Sequence, residues 1–371
     1  MALFYTNANP DTDSRSHSNN KEVFMRYKIF SERTGLKVSE LALGTGMFGQ
    51  AWGYGAIPEE VSRIIAGFAD AGGNFIDIAD NYQHGVSETL VGEAIAANRD
   101  DFIIATKFTR GASAKPALTR LGNNRKNMVQ SVEASLKRLK TDRIDLYFVH
   151  MDDFVTPMEE IARGLDDLAR AGKIVYGGLS NFPAWRIATA ANIADLRGWT
   201  AVSAIQIEYN LLQRAPEREL LPMADGFGLG VMGWSPMAAG ILTGKYRKGE
   251  RGRATDLKAS VQHADDPNND TAIDAVSAVA QEVGAKPGQV AVAWVKAKGV
   301  LPIVGTRTRE QLEEHLAAAT VTLSEDQIRR LDAATAIALG YPHELNSSAE
   351  QREVMTGGRF DQIDYPTRVV A

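Results

Sequence analysis

The sequence predicts an α/β protein, a (β/α)8 TIM barrel. Eight short apolar runs alternate with amphipathic segments of helical spacing, which is typical of a parallel sheet covered by helices. The chain has 371 residues, enough for one such barrel. Residues 1–25 are polar and aperiodic and predict a flexible tail, which leaves 26–371 as a single barrel domain.

Eight predicted strands follow one another along the chain. In order they are LALGTG (41–46), NFIDIA (74–79), DFIIATKF (101–108), RIDLYFVH (143–150), IVYGGLS (174–180), VSAIQIEYN (202–210), LGVMGWS (229–235) and VLPIVGT (300–306). Each is followed by a segment with helical features. Eight strand-then-helix units in one chain favour a closed barrel over an open sheet.

The helix boundaries are marked by proline, glycine and capping residues. Pro58 begins a helix whose apolar residues recur at core spacing, namely Val61, Ile64, Ile65 and Phe68. The capping-box spacing predicts three more helix starts, at Thr156 to Glu159, Thr308 to Gln311 and Ser324 to Gln327. The first of these helices is expected to include Pro157 in its first turn and to end at Gly172.

Composition excludes several classes of function. The formal net charge of -5 gives no general attraction to nucleic acid or anionic membranes, so neither is an expected partner. The absence of cysteine excludes disulfides, thiolate zinc sites and a cysteine nucleophile, and no metal site is predicted. No apolar run approaches membrane-spanning length, and the N-terminus lacks a signal-peptide pattern, so the expected location is cytoplasmic.

Ionisable side chains stand where the second, third and fourth strands end. Asp77 lies near the end of the second strand and Tyr82 follows it, Lys107 lies in the third, and His150 ends the fourth. In a barrel these strand ends meet at one mouth. A tyrosine can protonate a developing alkoxide if a nearby ammonium eases loss of its proton, a carboxylate can hold that ammonium, and a histidine can orient the same oxygen.

This set therefore predicts catalysis of carbonyl reduction, with Tyr82 as acid, Lys107 as its electrostatic partner, Asp77 as anchor and His150 as orienting group. Each residue also has a structural interpretation. The tyrosine could be a half-buried amphipathic residue, the histidine a satisfied structural one, and the Asp–Lys pair a structural ion pair. Four such groups on consecutive strands favour the functional interpretation.

Longer segments carry a family resemblance. In order they are GLKVSELALGTGMFG, NFIDIADNYQHGVSETLVGEAI, ATKF, SLKRLKTDRIDLYFVH, GKIVYGGLSNF, QIEYNLLQR, WSPMAAGILTGKY and VGTRTREQLEEH. From Tyr27 to the last helix the sequence resembles the aldo-keto reductase superfamily, in the bacterial oxidoreductase branch that also resembles potassium-channel β subunits. The resemblance implies that the family's catalytic tetrad is Asp77, Tyr82, Lys107 and His150, and that hydride passes from a reduced nicotinamide to an aldehyde or ketone.

The segment GTGMFG (44–49) formally matches the G-x-G-x-x-G dinucleotide fingerprint, so a Rossmann domain is the alternative. The fingerprint requires a helix that begins at its last glycine, whereas QAWGYGAI intervenes before Pro58. We interpret these glycines as a turn after the first strand that lets a cofactor approach at Thr45 and Gly46.

The resemblance places an extended cofactor at the C-terminal mouth of the barrel. It implies that Ser180, Asn181 and Gln206 bind the nicotinamide carboxamide, with Asp77 beside them, and that Trp234 stacks on the ring. The small-residue loop that contains Lys245 suits a pyrophosphate. The other residues of this loop that are expected to contact the cofactor are Ser235, Pro236, Met237, Gly240 and Leu242. The alternatives are core packing for Trp234 and an ordinary surface lysine.

The eighth strand is followed by residues expected to bind the adenosine end. These are Gly305, Thr306, Arg307, Gln311, Glu314 and His315. Arg307 or Arg253 could pair with a 2′-phosphate, so NADPH is preferred and NADH stays possible. Two departures from the family pattern bear on this preference: some branches have lysine at Gly305, and many have asparagine at His315.

The predicted substrate is a small-molecule carbonyl or alcohol. The expected pocket walls are Phe48, Trp52, Tyr54 and Met151, which suit aromatic, terpenoid or polyketide-like compounds unless they only pack the loop. Two other functions stay open: a cofactor-binding regulatory module of the channel β-subunit type with little turnover, and an enzyme that works mainly as an alcohol dehydrogenase. The sequence does not indicate an oligomeric state.

Overall fold

The computed structural model describes residues 25–200, 202–252, 255 and 269–365. Eight parallel strands close into a barrel in the order β10-β3-β4-β5-β6-β7-β8-β9, so the predicted (β/α)8 fold is confirmed. The strands are β3 (Ala42–Gly44), β4 (Phe75–Asp77), β5 (Ile103–Phe108), β6 (Ile144–Val149), β7 (Ile174–Ser180), β8 (Val202–Glu208), β9 (Gly230–Trp234) and β10 (Leu301–Gly305).

Helices surround the barrel because each presents one apolar face to the strands. In chain order they are α1 (Pro58–Asp70), α2 (Val86–Ala94), α3 (Arg125–Leu139), α4 (Met158–Arg170), α5 (Ala184–Arg197), α6 (Leu220–Gly226), α7 (Asn269–Val283), α8 (Pro287–Ala297), α9 (Arg309–Leu316), α10 (Glu325–Ala334), α11 (His343–Asn346) and α12 (Ala349–Thr356). In α1 the four residues predicted to face the core are buried. Within the described ranges, no helix combines the length and apolar character needed to cross a membrane.

A β-hairpin covers the N-terminal end of the barrel, a feature that the sequence analysis missed. Its strands are β1 (Tyr27–Ser31) and β2 (Thr34–Ser39), which pair antiparallel. The Phe30 ring packs edge-on against Phe75 at the start of β4, with ring centroids 5.4 Å apart. The hairpin closes the end of the barrel opposite the mouth, so the mouth is left as the accessible end.

Two of the three predicted N-cap residues, Thr308 and Ser324, cap a helix in the structure. Thr308 and Ser324 accept hydrogen bonds from the backbone N–H groups of Gln311 and Gln327, each at 3.2 Å. The prediction at Thr156 is wrong. Its hydroxyl donates instead to Asp153 Oδ2 at 2.6 Å, and the helix begins one residue after Pro157.

The predicted N-terminal tail, 1–25, lies outside the described residues except for Met25. The Met25 side chain is buried in the main hydrophobic core, and its backbone N–H donates to Ala71 O at 3.0 Å. Met25 therefore belongs to the folded part of the chain.

Candidate active site

A large cleft opens at the C-terminal ends of the barrel strands, with a volume of about 1610 Å³. It extends from the loop after β3 across the ends of β6, β8 and β9 to the start of α9. A cleft of this size can hold an extended cofactor together with a small substrate.

A buried ammonium lies beneath the centre of the cleft. Lys107 has no exposed surface, and its Nζ donates to Asp77 Oδ2 at 2.8 Å, to Ile78 O at 2.6 Å and to Tyr82 Oη at 3.3 Å. Burial acts to lower the pKa of Lys107, but the Asp77 carboxylate and the Tyr82 hydroxyl more than offset burial, so this pKa lies above its usual value. Lys107 is therefore a fixed positive charge whose three hydrogens are all used.

Asp77 is held on its other side as well. Its Oδ1 accepts a hydrogen bond from Gln206 Nε2 at 2.7 Å. Asp77 is at the end of β4 and Gln206 is inside β8, across the barrel. The Asp77–Lys107 ion pair is thus held in place by Gln206, a residue that was predicted to bind the cofactor carboxamide.

Tyr82 begins a short 3-10 turn, Tyr82–Gly85, that holds its hydroxyl over Lys107. Gln83, His84 and Gly85 all have left-handed backbone conformations, which costs about 1 kcal/mol or more for each non-glycine residue. The Gln83 side chain stabilises the turn by accepting from Trp52 N at 2.8 Å and donating to Tyr54 O at 3.1 Å. The turn is thereby tied to the loop after β3.

His150 faces Tyr82 across the floor of the cleft. The two rings are perpendicular, with centroids 6.0 Å apart. Burial, together with the positive charges of Lys107 and Arg110, holds the pKa of His150 well below its usual value. Its Nδ1 is buried and has no hydrogen-bond partner among the described residues. Because His150 lines the cleft, it presents a neutral imidazole there.

Asn181 and Trp234 form the next part of the floor. Asn181 has a left-handed backbone (φ +57°), and its Nδ2 donates to His150 O at 2.9 Å and to Ser180 Oγ at 2.9 Å. Its Oδ1 accepts from Trp234 Nε1 at 3.1 Å. These bonds fix the orientation of the half-buried indole beside the cleft.

The loop after β9 places the backbone of Gly240 beside the Lys245 side chain. Ser235 and Ala239 are left-handed, and Ser235 Oγ accepts from Ala239 N at 3.0 Å. Gly240 is also left-handed (φ +91°), and a Cβ there would lie 3.0 Å from Lys245 Cε. The lysine therefore lies directly against the glycine, which suits close approach of a phosphate.

At the far end of the cleft the Arg307 guanidinium stacks on the Tyr54 ring, 4.0 Å from its centroid. His315 Nδ1 is buried there without a partner among the described residues, and burial lowers the pKa of His315 to about 4. Glu314 pairs with Lys286 at 2.7 Å, and Gln311 Oε1 accepts from Arg307 N at 3.0 Å. These two side chains are thus already engaged within the protein.

Most of the predicted site residues line the cleft. They are Thr45, Gly46, Trp52, Tyr54, Asp77, Tyr82, His150, Met151, Asn181, Gln206, Trp234, Ser235, Pro236, Met237, Gly240, Lys245, Gly305, Thr306, Arg307, Gln311, Glu314 and His315. Lys107 lies beneath it and reaches Tyr82. Arg253 lies outside the described residues.

Three residues that were predicted as contacts are not among those that line the cleft. Phe48 has no exposed surface and packs in the main hydrophobic core, so it does not wall the pocket. The Leu242 side chain is buried in the same core. Ser180 is fully buried behind Asn181 and does not line the cleft.

The cleft also contains polar residues that the sequence analysis missed. They are Asn81, His84, Arg110, Ser113, Glu208, Lys248, Arg251 and Lys286. Arg110 and Ser113 follow β5 directly, so the rule that strand ends line the mouth could have found them. Lys286 precedes α8 and does not follow a strand, so its position in the sequence does not indicate that it lines the mouth.

Taken together, the site holds a phenol beside a fixed positive charge. Because Lys107 is only a donor, Tyr82 Oη accepts its hydrogen bond, and the phenolic hydrogen is left for an acceptor in the cleft. The neutral His150 offers a second polar atom at the same place. This arrangement can protonate an oxygen that gains negative charge.

Known proteins resemble the chain over most of its length. A profile of the Aldo/keto reductase family matches residues 40–336. Norsolorinic acid reductase of Aspergillus flavus is 36% identical over 358 residues, 92% of this chain and 90% of that protein. An NADP(+) aryl-alcohol dehydrogenase of Phanerodontia chrysosporium is 34% identical over 91% of this chain and 93% of its own length. The uncharacterized oxidoreductase YrpG of Bacillus subtilis is 36% identical over 81% of this chain and 93% of its own length.

Proposed function

The chain belongs to the aldo/keto reductase family of oxidoreductases, and from that premise we propose that it reduces an aldehyde or ketone with NADPH, using Tyr82 as the proton donor. The observation that carries this proposal is the Lys107 ammonium, which bridges Asp77 Oδ2 and Tyr82 Oη at 2.8 and 3.3 Å on the floor of the cleft. The reaction is reversible, so the same groups serve alcohol oxidation.

The residues of the cleft fit a nicotinamide dinucleotide. When bound, a reduced nicotinamide supplies the hydride that the carbonyl carbon receives. Asn181 and Trp234 would hold the nicotinamide, and the Ser235 to Lys245 loop would hold the pyrophosphate. The buried, unpartnered Nδ1 of His315 marks the adenosine end as built for a polar ligand.

The protein's own groups handle the proton. Tyr82 donates its phenolic hydrogen to the carbonyl oxygen as negative charge develops there, and the Lys107 ammonium stabilises the phenolate that remains. Asp77 keeps the ammonium in place and compensates its buried charge. His150, neutral because burial lowers its pKa, hydrogen-bonds the same oxygen and aligns the carbonyl.

The preference for NADPH is supported by the charges at the adenosine end. Arg307, Lys245 and Lys248 all line the cleft. Among the residues that the structure describes, Lys245 and Lys248 have no ion-pair partner. A guanidinium fixed on the Tyr54 ring is well placed to bind a 2′-phosphate. The relative from Phanerodontia chrysosporium carries NADP(+) in its name.

The substrate end favours a flat, largely apolar carbonyl compound. Trp52 and Met151 line this part of the cleft, and Trp52 packs edge-on to Tyr82 with ring centroids 6.4 Å apart. Tyr54, which was also predicted to wall the substrate pocket, carries the Arg307 guanidinium instead. The names of two relatives, an aryl-alcohol dehydrogenase and a norsolorinic acid reductase, are consistent with such a substrate.

The test is the initial rate of NADPH and NADH oxidation with 4-nitrobenzaldehyde, for the wild type and Tyr82→Phe. We expect turnover with NADPH, a loss of about 100-fold or more in kcat for the variant, and an unchanged NADPH dissociation constant by fluorescence. Tyr27→Phe is the matched control, because that hydroxyl also donates to a backbone carbonyl, Gly72 O, and Tyr27 does not line the cleft. A Tyr82→Phe enzyme as fast as the wild type would exclude this role for Tyr82. A wild type that binds NADPH and turns over no aldehyde would favour the regulatory module instead.

A further inference from the structure

The loop between β5 and α3 borders the substrate end of the cleft and carries only positive charge. Residues 109–122 include Arg110, Lys115 and Arg120, and the chain has no aspartate or glutamate from 102 to 132. The whole chain has a net charge of -5. A basic segment at the cleft of an acidic protein is a local feature that requires its own explanation.

Arg110 is the basic residue of this loop that lines the cleft, together with Ser113. Within the described part of the chain, the side chains of Arg110, Lys115 and Arg120 form no hydrogen bond, ion pair or ring contact with another residue. Other arginines near the barrel are paired, for example Arg138 with Glu88 at 2.6 Å and Arg186 with Asp152 at 2.9 Å. Arg110 is thus an exposed guanidinium at the cleft that no described residue neutralises.

Arg110 is also close to the reacting groups. Its charge is one of the causes that hold the pKa of His150 below the usual value, after burial and Lys107. The carboxylates that line the cleft form no ion pair with Arg110 among the described residues: Asp77 pairs with Lys107, and Glu314 pairs with Lys286. Glu208, the last residue of β8, has a partner of its own.

We propose that Arg110 binds an anionic group of the substrate, so that the enzyme prefers carbonyl compounds that bear a carboxylate. This inference rests on the proposed function of the same site and specifies its substrate class. A guanidinium pairs with a carboxylate through two parallel N–H···O bonds, which orients the substrate as well as attracting it. Ser113 adds a hydroxyl donor on the same side, and Lys115 and Arg120 raise the local concentration of anions.

The loop geometry allows Arg110 to act at this position. Gly111 has a left-handed backbone (φ +73°), and a Cβ there would lie 2.8 Å from Pro116 Cβ. The chain therefore turns back tightly after Arg110, and Gly122 N donates to Thr109 O at 2.9 Å to close the loop. Both ends of the loop are held against the strand ends, so the backbone that carries the Arg110 side chain is fixed in position.

The experiment compares 4-carboxybenzaldehyde with 4-nitrobenzaldehyde, two planar aldehydes of similar size that differ in charge. We expect Arg110→Gln to lower kcat/KM for the carboxylate at least about 10-fold while changing the nitro compound less than about 2-fold. Arg110→Lys keeps the charge and should recover part of the loss. Lys115→Gln, which removes one charge from the same loop outside the cleft, is the matched control and should have a small, salt-dependent effect.

A binding measurement separates this inference from the reductase proposal. Calorimetric titration of the NADP-loaded protein with 4-(hydroxymethyl)benzoate and with 4-nitrobenzyl alcohol requires no turnover. Tighter binding of the carboxylate that weakens at least about 10-fold in Arg110→Gln supports the inference even if the wild type reduces neither aldehyde. Equal losses for the charged and neutral compounds, or no loss for either, overturn it.

Discussion

Gln206 Nε2 donates to Asp77 Oδ1 at 2.7 Å, on the side of the carboxylate opposite Lys107. The two residues are separated by 128 others in the sequence and meet across the barrel interior. Each oxygen of Asp77 therefore has its own donor, and the charge pair cannot rotate without breaking one of these bonds. Gln206 also lines the cleft, and its amide oxygen is an acceptor that the bond to Asp77 does not use, so the side chain can position the ion pair and contact a ligand at once.

Removing this hydrogen bond should destabilise the protein. Gln206→Met keeps the size of the side chain but leaves a buried carboxylate oxygen without a donor, which costs about 1–3 kcal/mol in the free energy of unfolding. Urea denaturation of the cofactor-free protein measures it. Gln50→Met, at an exposed position, is the control and should change the free energy of unfolding by less than about 0.5 kcal/mol. Equal stability of Gln206→Met and the wild type would show that the Gln206 bond contributes nothing.

The buried ion pair should show strong coupling between its partners. Lys107→Met leaves Asp77 as an unpaired buried charge and should cost about 3–5 kcal/mol of stability. Adding Asp77→Asn removes that charge, so the double variant should be more stable than Lys107→Met alone. A double-mutant cycle by urea denaturation tests this. Additive effects would mean that the two side chains do not interact. Aldehyde turnover should fall at least about 100-fold in Lys107→Met, in the single variant Asp77→Asn and in the double variant.

Asp80 should make stability depend on pH. It is almost fully buried, its Oδ1 has no partner among the described residues, and burial, with repulsion from Glu88, raises the pKa of Asp80 to about 7. The folded state thus keeps a proton that the unfolded state loses above its pKa of 3.8. The raised pKa of Asp80 therefore contributes fully to the free energy of unfolding below pH 3.8. This contribution is lost as the pH rises from 3.8 to about 7.

Asp80→Asn removes this titration. Its free energy of unfolding relative to the wild type should increase by about 3 kcal/mol between pH 5 and pH 8 and then level off, because one pKa unit corresponds to about 1.4 kcal/mol. Urea denaturation at a series of pH values measures the difference. A difference that is constant over this range contradicts the raised pKa of Asp80.

Gln83 should control how well the loop after β3 is ordered. Gln83→Ala removes the hydrogen bonds to Trp52 N and Tyr54 O, so the loop loses its tie to the Tyr82 turn. We expect KM for 4-nitrobenzaldehyde to rise about 5-fold to 10-fold, with a smaller change in kcat. Hydrogen exchange of the backbone amide of Trp52 should accelerate. Gln50→Ala serves as control. An unchanged KM together with unchanged exchange would assign the loop's order to other contacts.

Arg307 should discriminate between the two nicotinamide cofactors. Arg307→Met removes the guanidinium that stacks on Tyr54, and the dissociation constant of NADPH should rise at least about 10-fold while that of NADH changes little. Fluorescence titration measures both. Arg352→Met is the matched control, because Arg352 stacks on Phe360 outside the cleft. Equal weakening of both cofactors would place Arg307 away from the 2′-phosphate.

The sequence by itself determined the barrel and the identity of its central groups. Strand and helix periodicity depend on local side-chain order, so all eight barrel strands could be located, with boundaries within a few residues. The position of a residue at the end of a strand is also local, and it was enough to bring Asp77, Tyr82, Lys107 and His150 to one site. The hairpin was missed because β1 and β2 lie outside the repeating strand-then-helix pattern.

Only the tertiary structure decided which atoms meet. The bond from Gln206 to Asp77 and the hold of Gln83 on the loop after β3 join residues that closure of the barrel brings together, and strand stagger sets their distances. Closure also decided that Phe48 and Leu242 face the core and that the Arg110 side chain has no partner among the described residues. A linear pattern records which residues are polar, but whether a charge is paired depends on every neighbour that the fold packs around it.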